Sequence, residues 1–523
     1  MLSLLLLSVS GLLVHAITPQ PRADAGCAYM STEAKIYCYG GQRFIYLSEG
    51  GITTMFDPYF VSLNLAQDWE VNTDMQNGWE QVNHDVGQNH HFPMVAVPNQ
   101  RRLFMDGGGG GSDAGAAVIA RYKTAYINTE SDDGWTEVIP SRTDSRVMTH
   151  TATLGRDNNT IYIWGGYRSG LTGGTAQGEE TYPREMNIFN IKEWRWSTGS
   201  LAQQGQMYQT AVLVGSSIYY IGGLYRATTS LVAVQMNGVL IFNTDSGEWQ
   251  NRGIGGSVVP STRIRHTTTL KPSTGEIIMF GGQNPSDNTQ ARDDYFYILN
   301  TQGELSWRNT TIQEDGSSFG GNGILGHAAV LVENYLFVMF GNINLLDDPW
   351  PYNITNRVWA MDVDRWAWVS SVSAITPDPV LSTDDTTPPG NEGGTQDDGS
   401  SGSSSTNAGT IAGAVVGGVA GVVIIAAIAF FFIRKKRQQS PEKVELNRER
   451  MLPDEEPGND NSNRHISPAS QRYSSQDSST EVENSEGPVS PYGTEKPDGL
   501  VAANDGGYTQ RFVMEPVKPD GGG

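Results

Sequence analysis

The sequence predicts an all-β protein: a six-bladed β-propeller, followed by one transmembrane helix and a disordered cytoplasmic tail. Three observations predict this. A β-type run ending in glycine recurs six times between residues 26 and 370, five times with a double glycine. A charge-free apolar stretch, Ile411 to Ile433, leads directly into Arg434, Lys435, Lys436 and Arg437. The composition is also wrong for helical arrays: the 523 residues include 61 Gly and 12 Trp, and only 18% are charged. With 35 Lys plus Arg against 57 Asp plus Glu, the net charge of −22 argues against recognition of nucleic-acid phosphates. Two cysteines are too few for a zinc ribbon, an iron–sulfur cluster or a dense disulfide scaffold.

Residues 1–16 read as a secretory signal. Leu2 to Val14 is almost entirely apolar, and Val14-His15-Ala16 supplies small or modest side chains where a signal peptidase tests them. Cleavage there would leave a propeller over residues 17–372.

The repeat units are Ile36 to Gly40-Gly41, Leu103 to Gly107-Gly108, Ile161 to Gly165-Gly166, Ile218 to Gly222-Gly223, Ile277 to Gly281-Gly282, and Leu336 to Gly341. The first glycines lie 67, 58, 57, 59 and 60 residues apart. One strand precedes each glycine run and an aromatic strand follows it, as in Val239–Asn243 and Tyr295–Asn300. A tryptophan then heads a fourth strand: Trp69 or Trp79, Trp135, Trp194 or Trp196, Trp249, Trp307, and Trp366 or Trp368. A lone four-stranded sheet has two apolar faces and cannot bury both, whereas radial packing lets each cover its neighbour. One tryptophan per unit is expected to fill the wide outer gap between sheets.

These marks together resemble the kelch repeat, whose signatures are the double glycine, a spaced tyrosine and a tryptophan. The resemblance spans about 345 residues. Two departures stand out: Asn342 where the last repeat should carry its second glycine, and the extended run Gly107 to Gly111 in the second. Residues 17–25 are short and Pro-rich, and no ring-closing strand is assigned to them.

Cys27 and Cys38 fall on adjacent strands of the first repeat, where a cross-strand disulfide would staple the first blade. Sequons at Asn158, Asn309 and Asn353 all lie on the predicted exterior side, as glycosylation requires.

The resemblance also raises an enzymatic alternative, since kelch propellers include copper-radical carbohydrate oxidases resembling galactose oxidase. That chemistry needs two Tyr, two His and a Tyr–Cys cross-link. A Cys27–Cys38 disulfide would remove the required thiol. His84, His90 and His91 with Asp85 form the densest histidine group, which reads as a polar loop entering the second blade rather than a metal site. No metal or other cofactor is expected. Arg146 with His150, Arg263 with His266, and His327 recur at matching places, which suits blade packing; residues lining a mouth could also face a ligand.

Residues 373–408 turn to Ser, Thr, Gly, Pro and Asp, a composition that cannot bury a core and predicts an extended stalk. Residues 409–433 form the predicted span, and the basic cluster after it sets a type I orientation. Gly413, Gly417 and Gly421 share one helix face, so the span could pair two copies as a homodimer. The tail, 434–523, is polar and disordered in expectation, with Ser440, Ser467 and Ser490 each preceding a proline as candidate phosphorylation sites. No catalytic domain fits there. The expected function is therefore binding at a cell surface: the propeller recognises an extracellular protein or glycan and the tail recruits a cytosolic adaptor.

Overall fold

The computed structural model describes residues 16–380, apart from 47–51, 72–73, 83–86, 111, 114–115, 118–121, 140, 142–145, 173–179, 229, 288–289 and 345–352. The signal segment up to residue 15, the stalk beyond 380, the span 409–433 and the tail with Ser440, Ser467 and Ser490 lie outside the described residues. Among the described residues no helix is long and apolar enough to cross a membrane.

Strand content dominates, and six antiparallel sheets share one plan. The first holds β1 (Gly26–Met30), β2 (Lys35–Tyr39), β3 (Phe60–Asn64) and β4 (Trp79–Gln81). The second holds β5 (Met94–Val97), β6 (Arg102–Asp106), β7 (Thr124–Asn128) and β8 (Thr136–Glu137); the third β9 (Met148–Leu154), β10 (Thr160–Tyr167), β11 (Glu185–Asn190) and β12 (Arg195–Leu201). The fourth comprises β13 (Thr210–Val214), β14 (Ser217–Ile221), β15 (Gly238–Asn243) and β16 (Trp249–Gly253). The fifth has β17 (Thr267–Lys271), β18 (Glu276–Phe280), β19 (Phe296–Asn300) and β20 (Ser306–Arg308), and the sixth β21 (Ala328–Val332), β22 (Tyr335–Met339), β23 (Val358–Asp362) and β24 (Ala367–Val369). In each sheet the four strands pair in chain order, so short turns suffice.

The first strands β1, β5, β9, β13, β17 and β21 touch one another in turn, and β21 returns to β1. An apolar cluster fills each gap between neighbouring sheets, including the gap between the sixth and the first. Both faces of every sheet are thereby covered, which is the arrangement of a β-propeller. The expected tryptophans sit in these gaps. Trp79 packs on Phe340 of the sixth sheet with ring centroids 5.4 Å apart. Trp135 packs on Tyr39 and Phe60 of the first sheet. The indole N–H groups of Trp194, Trp249 and Trp307 donate to the carbonyls of Ile139, Ser200 and Met236, in the last strand or a connection of the preceding sheet. Truncating a fully buried tryptophan of this kind to Ala costs about 3–5 kcal/mol.

Closure, left open by the sequence, uses both ends of the described chain. Ala16–Ile17 pairs with β4 as an added edge strand. Ser371–Val372 pairs with Trp69–Glu70, and the chain continues along the first sheet: Ile375 N–H donates to Leu65 O and Asp378 N–H to Ser31 O. Between these straps, Arg22 and Asp24 enter the centre of the ring.

Candidate functional site

The two ends of the ring differ. First-to-second strand turns are tight, at 31–34, 98–101, 155–159, 215–216, 272–275 and 333–334. Second-to-third strand connections, at 40–59, 107–123, 168–184, 222–237, 281–295 and 340–357, are all much longer and emerge at the opposite end. That end forms a mouth, and its floor is built by a repeated backbone feature.

At the axial end of each first strand one residue adopts a left-handed conformation: Asp24 (φ 57°), His91 (53°), Thr149 (62°), Tyr208 (56°), Arg265 (53°) and Gly326 (61°). Non-glycine residues pay for this region, so five of them in register mark a conformation imposed by the surroundings. The compensation is visible. Asp24 N–H donates to Gly326 O, His91 to Asp24 O, Thr149 to His91 O, Tyr208 to Thr149 O, and Gly326 to Arg265 O. Five of the six links in this central circle are main-chain hydrogen bonds.

The side chains of the circle meet above it. Asp24 accepts from Arg265 Nε at 2.9 Å, from Arg265 Nη2 and from Gln42 Nε2 at 2.7 Å, and His91 Nε2 lies 3.3 Å from it. Arg265 also donates to Gln283 Oε1 at 3.2 Å. His91 packs edge-on against Tyr208, and His90 stacks on Phe56 with centroids 4.6 Å apart. Burial alone would raise the Asp24 carboxyl, but Arg265 and His91 outweigh it and hold it far below the usual carboxylate range. Burial, assisted by the neighbouring His91, depresses His90 to about 3. Burial pushes Tyr208 up to about 12. The network is thus a neutral imidazole, a neutral phenol and an ion pair whose acceptor is already occupied.

Directly beneath, the next residue of the last four repeats bridges to the preceding sheet. His150 Nε2 lies 2.9 Å from Asp106 Oδ2, Gln209 donates to Trp164 O, His266 Nε2 lies 3.2 Å from Thr210 Oγ1, and His327 Nε2 lies 2.8 Å from Thr267 Oγ1. All four side chains are buried. This position explains the double glycine. A Cβ on Gly281 would lie 2.5 Å from His327 Cε1, and one on Gly282 would lie 2.9 Å from His266 Cβ. The first glycine thus admits the bridging side chain of the next sheet and the second that of its own.

Three readings of the sequence change here. The last repeat's glycine pair is Phe340-Gly341, not Gly341-Asn342: Gly341 sits against His327 as Gly282 sits against His266, and Phe340 takes the left-handed conformation at φ 60°. The bridging position of the first sheet is Ala25, so the bulk has changed sides at this seam, and Arg22 lies over the Phe340 ring at 5.2 Å. Secondly, His90 and His91 belong to the floor of the mouth instead of a polar entry loop; His84 and Asp85 lie outside the described residues. Thirdly, Arg146 and Arg263 are not equivalent. Arg263 is fully buried, donates to Gly281 O at 2.9 Å and pairs with Asp294. Its counterparts are Arg22, which donates to Gly40 O, and Asn89, which donates to Gly107 O. Arg146 is half-buried one position earlier.

Cys27 and Cys38 are directly opposed in the register of β1 and β2 and form a disulfide, with Cα atoms 4.2 Å apart. Among the sequons, Asn158 and Asn309 are exposed and Asn353 is half-buried. Among the described residues no group of three or more His, Cys, Asp or Glu side chains is arranged to hold a metal ion. Sequence reasoning missed Asp24, Arg265 and Tyr208. The available signal was position: Arg265, Tyr208 and Thr149 each stand immediately before the bridging residue of their repeat.

Residues 208–383, from just ahead of β13 to beyond the C-terminal strap, match the KLHDC2/KLHL20/DRC7 Kelch-repeats domain. No curated protein matches the chain. The kelch match supports kelch-repeat identity for this region and a protein-binding module as its role.

Proposed function

We propose that the chain is a cell-surface binding and scaffold protein, in which a six-bladed kelch-type propeller recognises an extracellular protein or glycan at its mouth. The observation that carries this reading is the asymmetry of the ring. Every long connection rises at the end floored by the Asp24, His91, Arg265 and Tyr208 network, and Met55 and Tyr59 are exposed there on the first of these connections. Rigid scaffolds place recognition on such loops. Residues 409–433 would anchor the chain as a type I membrane protein, and the tail would recruit a cytosolic adaptor.

A binding role suits the floor better than turnover. The Asp24 oxygens are already committed to Arg265 and Gln42, so the carboxylate has no capacity left as a general base. Both cysteines are joined to each other, which leaves neither thiol for the Tyr–Cys link of a copper-radical oxidase. The test is capture of surface proteins and glycans on the immobilised full chain, compared with a Met55→Ser/Tyr59→Ser variant of unchanged melting temperature. Saturable binding that the variant loses supports the reading. Binding that the variant retains in full moves recognition away from the mouth, and oxidation of a carbohydrate with hydrogen peroxide release would overturn it.

A further inference from the structure

The outer edges of the six sheets are finished in two ways. In the first, fifth and sixth sheets a short strand is added beyond the fourth: Ala16–Ile17 pairs with β4, Gly255–Gly256 with β20 and Gln313–Asp315 with β24. Each added strand lies against the tryptophan of its sheet, with Ile17 opposite Trp79, Gly256 opposite Trp307 and Glu314 opposite Trp368. Those three tryptophans are 0, 1 and 3% exposed. Each added strand also brings an isoleucine to the cluster that holds the tryptophan: Ile17, Ile254 and Ile312.

Among the described residues no strand lies beyond the outer strands of the second, third and fourth sheets. In the second, β8 is only two residues long and Trp135 is already buried against Tyr39 and Phe60. In the third, Trp196 is half-buried, and the incoming connection includes undescribed residues. In the fourth, Trp249 sits opposite Phe242 as Trp307 sits opposite Leu299 and Trp368 opposite Met361, yet it is half-buried. The incoming connection here, 202–209, is described throughout. It supplies no cover, because Gln206–Met207 pairs with Leu224 and Tyr225 of the mouth connection.

The backbone of this edge matches the covered ones. Leu305 O and Trp366 O accept from Gly255 N–H and Gln313 N–H of the added strands, whereas the matching Gly247 O accepts from the Ser200 hydroxyl. Ser370 N–H donates to Asp315 O, and the matching Asn251 is exposed. Leu201, next to Ser200, is 57% exposed. Open strand edges recruit further strands. We propose that the outer edge of the fourth sheet takes up an extended segment of a partner protein, whose aliphatic side chain covers Trp249 and Leu201. The covered sheets specify that chemistry: a strand of two or three residues with an isoleucine at or beside the pairing positions. This site lies on the flank of the ring, apart from the mouth, and is independent of the membrane reading.

The test titrates the full chain, in detergent, into a fluorescein-labelled peptide with the sequence of residues 252–259, whose own copy is seated on β20. A saturable rise in anisotropy, weakened about tenfold by Asn251→Pro at unchanged melting temperature, supports the proposal, since proline removes an edge donor. Leu201→Ser leaves the backbone edge intact and should weaken binding less than Asn251→Pro. A peptide carrying Ile254→Asp should bind more weakly than the native sequence. No saturable binding, equal binding by Asn251→Pro, or indifference to Ile254→Asp overturns the proposal. So does a sedimenting dimer that Asn251→Pro dissociates, which would seat a second copy on this edge. The Met55→Ser/Tyr59→Ser variant, altered only at the mouth, should bind the peptide unchanged; loss of binding there would move the peptide to the mouth and overturn the flank site.

Discussion

Arg265 and Asp24 are 241 residues apart in the chain, and the guanidinium of one grips both carboxylate oxygens of the other at the centre of the ring. The side chains are 11% and 5% exposed. Asp24 belongs to the short segment ahead of β1, so this ion pair ties the N-terminal segment to the fifth sheet across the sixth. Arg22, two residues earlier, pairs with Asp57 at 3.4 Å and donates to Gly40 O and Tyr59 O.

Removing one partner of a buried ion pair leaves an uncompensated charge and costs about 3–5 kcal/mol. Asp24→Ala is therefore expected to destabilise the protein by an amount in that range, and Asp24→Ala/Arg265→Met by clearly less. Urea denaturation of the single and double variants measures this. Equal, additive losses would show that the two side chains do not act as a pair.

Acid should loosen the ring before the carboxylates titrate. His90, His266 and His327 have folded-state values near 3, chiefly through burial, against 6.5 for a free imidazole. Between those values the unfolded chain binds protons that the folded chain does not, so stability falls as pH drops below about 6.5 and stops falling near 3. Asp24 behaves differently: its depressed value adds stability above the usual carboxylate range, lost only under stronger acid. A His327→Gln variant, which copies the native Gln209 at the matching position, should flatten the dependence of melting temperature on pH between 7 and 4. An unchanged slope would remove His327 from the account.

Gly281→Ala and Gly303→Ala separate backbone strain from packing. Both glycines have positive φ, 63° and 75°. A Cβ on Gly303 meets nothing within 4 Å, whereas one on Gly281 lies 2.4 Å from Ile324 O. Gly303→Ala should cost about 1–2 kcal/mol, the left-handed penalty alone. Gly281→Ala should cost substantially more, read as the shift of the denaturation midpoint; similar costs would refute the bridging explanation of the double glycine.

The Cys27–Cys38 disulfide spans a sequence separation of 11. By the loop-entropy account, Cys27→Ala/Cys38→Ala should lose about 3 kcal/mol or less and still fold. Calorimetry at neutral pH would show a lowered but cooperative transition. Loss of the transition would mean that the staple is required for the first sheet to form at all.

Local pattern carried the architecture because each unit repeats its own instructions. The glycine-ended apolar runs and the tryptophans announced strands and inter-sheet filling, whereas the double glycines open the long connections instead of tight turns. The seam between the last and first sheets was misread, since Phe340 and Ala25 exchange the bulk of a glycine and a histidine and neither looks unusual alone. The floor of the mouth was not assembled for a related reason: Asp24, His91, Tyr208 and Arg265 are neighbours only across the axis.

By itself, then, the sequence determined the all-β class, the repeat length, the Cys27–Cys38 pair and the kelch resemblance, because those rest on contacts within one unit or on spacing. Tertiary structure decided how the ring closes, that His150, His266 and His327 bridge sheets, and that both straps and the Asp24–Arg265 pair converge on the seam. These depend on groups from distant units meeting around an axis, where burial and charge pairing act on positions that spacing along the chain does not connect.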